Sequence, residues 1–286
     1  MKRPLKYAYF PGCSLESTAS EYNQSVKAVS ARLGIELVDI PDWNCCGASA
    51  AHSMNRQLAH ALAGRNLALS EKTGLDMMVA CPACYIRFRT TYQVAKDEPI
   101  QKLAIENYIG MSYRANHQIR HLLDVIYTEV GLDTIKSQVT HPLKNLKVVC
   151  YYGCYLVRPP KIVAFDDPEN PLIMDKIITA LGSEVRDWSG KVDCCGGSLS
   201  LNKKAIASKL VHDISDMARK VGAEAIITAC PLCQSNLETR QDNKKNKIPI
   251  IYFTELMGLA MDIPDSRLWF KKHLISPLNL LASYGL

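Results

Sequence analysis

The residues of this chain whose types and spacing suit chemistry are its eleven cysteines: Cys13, Cys45, Cys46, Cys81, Cys84, Cys150, Cys154, Cys194, Cys195, Cys230 and Cys233. Thiolates are soft ligands that favour iron–sulfur and zinc sites, and they are also redox groups. Residues 1–11 offer no apolar run long enough for an export signal, so a cytoplasmic location is expected. In a reducing cytoplasm disulfides are rare, and clustered thiols mean metal or redox chemistry.

Ten of the eleven fall into two matching sets. The first reads Cys13, then Cys45-Cys46, then Cys81-Pro82-Ala83-Cys84. The second reads Cys154, then Cys194-Cys195, then Cys230-Pro231-Leu232-Cys233. The step from the second member of each adjacent pair to the C-x-x-C is 35 positions in both sets, from 46 to 81 and from 195 to 230. The step from the single cysteine to the pair is 32 positions in the first set and 40 in the second. An eight-residue insertion is therefore expected in the second set, near the loop-like stretch 165–171. Gly12 and Gly153 precede the single cysteines, and Gly47 and Gly196 follow the pairs. Two copies of one unit mean two related domains.

Five thiols per set exceed what a structural zinc needs, and also what an ordinary cubane iron–sulfur cluster needs, since each takes four. A surplus that recurs at matching positions is not incidental. Adjacent cysteines such as Cys45 and Cys46 would close a strained ring on one tetrahedral ion. They suit two neighbouring irons, or one terminal and one bridging thiolate. The residues themselves thus point to a polynuclear metal–sulfur site, with iron–sulfur favoured by ligand softness. Taken alone, either Cys-Pro-x-Cys would also suit a thioredoxin-like dithiol. A four-ligand subset in one domain would satisfy zinc.

The elements around the cysteines place them alike. Residues 6–10 read as a strand ending at Cys13, followed by a helix carrying Tyr22, Val26, Val29 and Leu33. Residues 35–40 read as a strand leading to Cys45-Cys46, 55–72 as a helix and 77–80 as a strand leading to Cys81. The second half repeats this with strands at 148–150, 184–187 and 225–229, and with helices at 173–181 and over 206–221. Residues 100–139 read as mostly helical. Alternating strand and helix imply parallel strands. The expected fold is α/β: two related Rossmann-like domains with mainly parallel sheets, at 1–142 (with a helical extension) and 143–286. Each cysteine group would then follow the carboxyl end of a strand, where open α/β sheets bind ligands.

Composition agrees with a globular chain: 286 residues, 48% hydrophobic and 22% charged. The formal charge of +6 is scattered, which gives no ground for nucleic-acid binding. No stretch approaches the ~20 apolar residues of a spanning helix, so no direct membrane span is expected. No G-x-G-x-x-G fingerprint is present. Electrons would therefore come from another subunit.

The ten-cysteine pattern, with Cys-Cys-Gly twice, resembles the CCG domain family, and two copies in a chain of this size resemble the B-type subunits of heterodisulfide reductase. The resemblance implies two noncubane [4Fe-4S] clusters. One would be held by Cys13, Cys45, Cys46, Cys81 and Cys84, the other by Cys154, Cys194, Cys195, Cys230 and Cys233. It implies a disulfide substrate reduced in one-electron steps, in a cavity between the two clusters. The implied partners are an iron–sulfur C-type subunit and a flavin-containing A-type subunit. The gap between pair and C-x-x-C is slightly shorter than in the methanogen members. The alternatives are an electron-relay subunit of a flavin-dependent 2-hydroxyacid or glycerol-3-phosphate oxidising system, and a zinc-binding assembly module.

Other residues carry weaker signals. Cys150 aligns with Tyr9 and reads as a small buried hydrophobe. Arg87, Arg158 and Lys161 follow cluster cysteines closely and would suit an anionic substrate group, though such side chains are commonly just solvated. Trp43 and Trp188 precede the adjacent pairs and read as core packing or as shields. His52, His60, His117, His121, His141, His212 and His273 share no spacing.

Overall fold

The structure, a computed structural model, describes residues 5–48 and 51–286. The first four residues of the expected first domain, and residues 49–50, lie outside the described residues. Two four-stranded sheets are present. The first has the order β2-β1-β3-β4, from β1 (Leu5–Phe10), β2 (Ile35–Asp39), β3 (Met77–Val79) and β4 (Ile119–His121). The second has the order β6-β5-β7-β8, from β5 (Lys147–Tyr151), β6 (Glu184–Val185), β7 (Ala225–Thr228) and β8 (Ile250–Tyr252). Every pairing is parallel. The chain thus adopts the expected α/β fold of two similar parallel-sheet halves.

Helices cover the sheets, which is why β3 and β7 are apolar and buried throughout rather than alternating. Helix Arg56–Glu71 starts at Asn55, whose side chain accepts the Leu58 N–H. Helix Lys204–Lys220 buries Ala207, Val211, Ile214 and Ala218, spaced three and four apart.

Two strands are not expected from the sequence. The stretch 100–139 is mostly helical, as expected, with β4 inside it. β8 lies at Ile250-Ile251-Tyr252, a short apolar run of a kind that suits a strand or a buried helix equally. Both strands complete their sheets by pairing with β3 and β7. The 165–171 stretch does lie in the loop between the short helix Pro160–Val163 and helix Ile173–Ala180.

The halves are packed on each other. One core cluster takes in residues from both, from Tyr7 to Leu281. Helix Ser20–Arg32 lies against helix Phe253–Ala260, and Ser25 Oγ is 2.6 Å from Thr254 Oγ1. Arg32 donates to the Met261 carbonyl at 3.0 Å, and Tyr85 Oη to the Val163 carbonyl at 2.9 Å.

Candidate metal centre

All ten repeated cysteines sit just past the carboxyl ends of strands. Cys13 follows β1 and Cys154 follows β5; the adjacent pairs follow β2 and β6; Cys81 and Cys230 follow β3 and β7. Cys81 and Cys230 are also the N-cap residues of helices Pro82–Asp97 and Pro231–Arg240, with proline in the first turn where its missing N–H costs nothing. Strand register identifies Tyr9 with Cys150. Each pairs with the residue three before the first cysteine of its C-x-x-C, Met78 and Ile227 respectively.

The two sets share their close contacts. Cys46 Sγ is 3.1 Å from Cys84 Sγ, and Cys195 Sγ is 3.5 Å from Cys233 Sγ. The Gly47 N–H donates to Cys45 Sγ at 3.5 Å, and the Gly196 N–H to Cys194 Sγ at 3.3 Å. Cys45 Sγ lies 3.8 Å from Cys13 Sγ. All the cysteines are free thiols. Among the described residues, no group of three or more His, Cys, Asp or Glu is disposed to hold one metal ion.

The recurring glycines have a physical reason. Gly12 and Gly153 have φ of +77° and +65°, and a Cβ on either would come within 3.2 Å of Cys84 Sγ or Cys233 Sγ. Only glycine takes this backbone without strain and leaves the sulfur its space. Five free thiols, backbone N–H donors aimed at sulfur and a side-chain-free approach fit an iron–sulfur group in each half.

In each set the first member of the adjacent pair has a thiol lowered below its ordinary range. The hydrogen bond from Cys13, then that from Cys46, pulls the Cys45 thiol far below its ordinary range. The hydrogen bond from Cys154, working against burial and helped by the Gly196 N–H, pulls Cys194 down to about 6. Their partners Cys13 and Cys154 are pushed up, first by those same hydrogen bonds and then by burial.

The two C-x-x-C loops meet at one side chain: the Tyr22 hydroxyl lies 3.1 Å from the Ala80 carbonyl, just before Cys81, and 3.0 Å from the Ala229 carbonyl, just before Cys230. A recess of about 20 Å³ lies on the second-half side, against Cys154, Cys194, Cys230 and Cys233, with Pro82 its lining residue from the first half. Cys13, Cys45 and Cys194 are exposed, Cys154 is half-buried and the other six are buried.

Cys150 is fully buried and faces Asp175, and burial raises its thiol. Trp43 packs edge-on against Phe10, and Trp188 Nε1 donates to the Cys150 carbonyl at 2.9 Å, so both belong to cores. Arg158 is held by Glu169 at 2.8 and 2.9 Å. Lys161 is exposed. Arg87 reaches across the halves, its guanidinium 5.7 Å from the Tyr155 ring. His60 pairs with Thr91, and His117 stands 3.7 Å from Glu71. His273 is buried between Glu238 and Glu255. His121 donates from Nε2 to the Ala80 carbonyl, just behind Cys81, because its Nδ1 accepts the Leu123 N–H. His121 and Tyr22 support the site, and the sequence reading assigned neither a role there. The signal available was their fixed distance from Cys81 and Cys13, which only the fold makes meaningful.

Comparison with known proteins agrees with the repeat. The family description "Cysteine-rich domain", CCG, matches residues 7–89 and 148–238. The 8-methylmenaquinol:fumarate reductase membrane anchor subunit of Wolinella succinogenes is 34% identical, over 96% of this chain and 99% of that one. The B-type subunit of the ferredoxin/F(420)H(2)-dependent CoB-CoM heterodisulfide reductase of Methanosarcina acetivorans is 29% identical, over 97% of this chain and 96% of that one. Among solved structures, a hypothetical protein from Helicobacter pylori superposes with a TM-score of 0.70 at 12% identity, over 95% of this chain and 52% of that one, a likeness of fold alone.

Proposed function

Since the chain belongs to the cysteine-rich CCG domain family, we propose that it is the iron–sulfur subunit of an oxidoreductase complex, carrying two centres that act together on a two-electron substrate. The substrate in this reading is a disulfide, as in the relatives named as B-type subunits of heterodisulfide reductase. The observation that carries the proposal is the approach of two five-thiol sets at their C-x-x-C loops, which Tyr22 joins through the Ala80 and Ala229 carbonyls. Cys13, Cys45, Cys46, Cys81 and Cys84 would hold one noncubane [4Fe-4S] cluster, and Cys154, Cys194, Cys195, Cys230 and Cys233 the other. Such a cluster supplies one electron at a time, so two side by side match the two electrons and two protons that turn a disulfide into two thiols.

The chain's own residues do the rest. Backbone N–H groups of Gly47 and Gly196 stabilise electron-rich sulfur by hydrogen bonding. The exposed Cys13 and Cys45 bring the first site to the surface, where an iron–sulfur or flavin partner subunit would deliver electrons. The recess beside Cys154 and Cys194 offers the second site an approach from outside.

The test uses the complex with reductant and disulfide. Cys46→Ser and Cys195→Ser should each abolish turnover while the other half keeps its metal. Appreciable disulfide reduction with one set emptied contradicts the proposal.

A second reading is favoured by one observation, 34% identity to a fumarate reductase subunit. In it the chain relays electrons between a quinol and a partner subunit and binds no disulfide. Quinol oxidation coupled to fumarate reduction, with no thiol released from added disulfides, would select it.

A further inference from the structure

At the seam between the halves, one side chain touches the backbone of both C-x-x-C loops. Tyr22, fully buried on helix Ser20–Arg32, has its hydroxyl 3.1 Å from the Ala80 carbonyl and 3.0 Å from the Ala229 carbonyl. Ala80 precedes Cys81 and Ala229 precedes Cys230, so the two acceptors are equivalent positions of the repeat. One phenolic proton thus sits between two carbonyls that belong to opposite halves. We propose that Tyr22 is a positioning residue that clasps the two C-x-x-C loops and so fixes how strongly the two metal–sulfur centres feel each other; this rests on the reading that both quintets hold clusters.

The surroundings hold the phenol in place. Its ring stacks on Tyr252 with centroids 4.0 Å apart and planes 6° apart. Phe253 meets it edge-on. Burial keeps the hydroxyl protonated, and therefore a donor. The two acceptors are unequal. Ala80 also receives the His121 Nε2–H at 3.0 Å, whereas among the described residues Tyr22 is the side chain that donates to Ala229. Removing the hydroxyl leaves the Ala229 carbonyl buried and short of a donor, and that loop is the one free to move. The first helix of one half thereby controls the C-x-x-C loop of the other, and the second-half helix Ile173–Ala180 supplies no matching tyrosine.

The experiment compares Tyr22→Phe with Ser25→Ala in the anaerobically purified holoprotein. Ser25 lies one turn along the same helix and bridges the same halves through Thr254, but touches neither loop. Metal and sulfide content come first. If the unmodified chain carries no iron–sulfur centre in one half, the reading of paired clusters fails and the proposal falls with it. With both centres present, the reduced unmodified protein should show a spin–spin splitting in its electron paramagnetic resonance spectrum, and its absence overturns the proposal; reduced Tyr22→Phe should keep its iron and sulfide but lose that splitting. Ser25→Ala should lower the melting temperature and keep the splitting. If Tyr22→Phe keeps the splitting, or if Ser25→Ala loses it equally, the proposal is overturned while the paired-cluster reading stands. Should Tyr22→Phe fail to fold, 3,5-difluorotyrosine at position 22 keeps the donor and sharpens its acidity; a spectrum unchanged by it overturns the proposal, and an altered splitting supports it.

Discussion

Cys81 and Cys230 stand on either side of one phenol, Tyr22, whose hydroxyl reaches the carbonyl just before each of them, although 149 positions of sequence separate the two cysteines. Each stands at the carboxyl end of a central strand and at the start of a helix. The relationship is therefore made by topology, two copies of one βαβ arrangement packed on each other. It brings ten thiols from six loops to one region.

Emptying one set should not empty the other, because each set is built on its own sheet. Cys46→Ser and Cys195→Ser are each expected to retain half of the iron and acid-labile sulfide. Metal analysis checks this, and loss of all metal from either variant would mean that the ten thiols form a single site.

Cys150 makes the complementary case. It is fully buried, its thiol faces Asp175, and it belongs to neither set. Cys150→Ala should keep all of the metal and cost about 1 kcal/mol of stability, the scale of a small core truncation. Iron content and a denaturant melt measure the two quantities separately.

Gly153 should be as intolerant as a ligand. Gly153→Ala meets both a positive φ, worth about 1–2 kcal/mol, and a Cβ 3.2 Å from Cys233 Sγ. Gly222 has a similar φ of +73° but open space around it. Gly222→Ala should therefore lose stability alone, whereas Gly153→Ala should also lose the metal of the second set. Equal metal content in the two variants would contradict the crowding argument.

His273 ties the C-terminal segment to the second sheet. Burial opposes its charge, but hydrogen bonds to Glu238 and Glu255, with the charges of those carboxylates, outweigh it and lift the imidazole to about 10. A folded-state value above the unfolded one, about 6.5, gives stability that is fully present below that pH and fades as pH rises towards 10. Melting temperature should thus decline from neutral to alkaline pH. In His273→Gln that slope should flatten, with a loss of about 3–5 kcal/mol at neutral pH because two buried carboxylates lose their partner. An unchanged alkaline slope in the variant would count against this assignment.

Much of this was legible in the sequence, for reasons that can be named. The repeat exposed the ten cysteines because their spacing is set by strand and helix lengths that the two halves share. Gly12 and Gly153 recur because one backbone turn and one close sulfur recur. β4 was not legible because Ile119-Arg120-His121 puts polar residues in a strand set within helical sequence, and β8 was not because a short apolar run such as Ile250-Ile251-Tyr252 suits a strand or a buried helix equally. Tyr22 read as one more apolar position on a helix face, because nothing local marks a phenol whose acceptors lie 58 and 207 positions away.

The central claim is that each quintet of thiols holds a polynuclear iron–sulfur centre. Anaerobic purification followed by iron, zinc and acid-labile sulfide analysis tests it most directly. The account predicts about eight irons and about eight sulfides per chain, from two four-iron centres. About two zinc ions with no sulfide would contradict it.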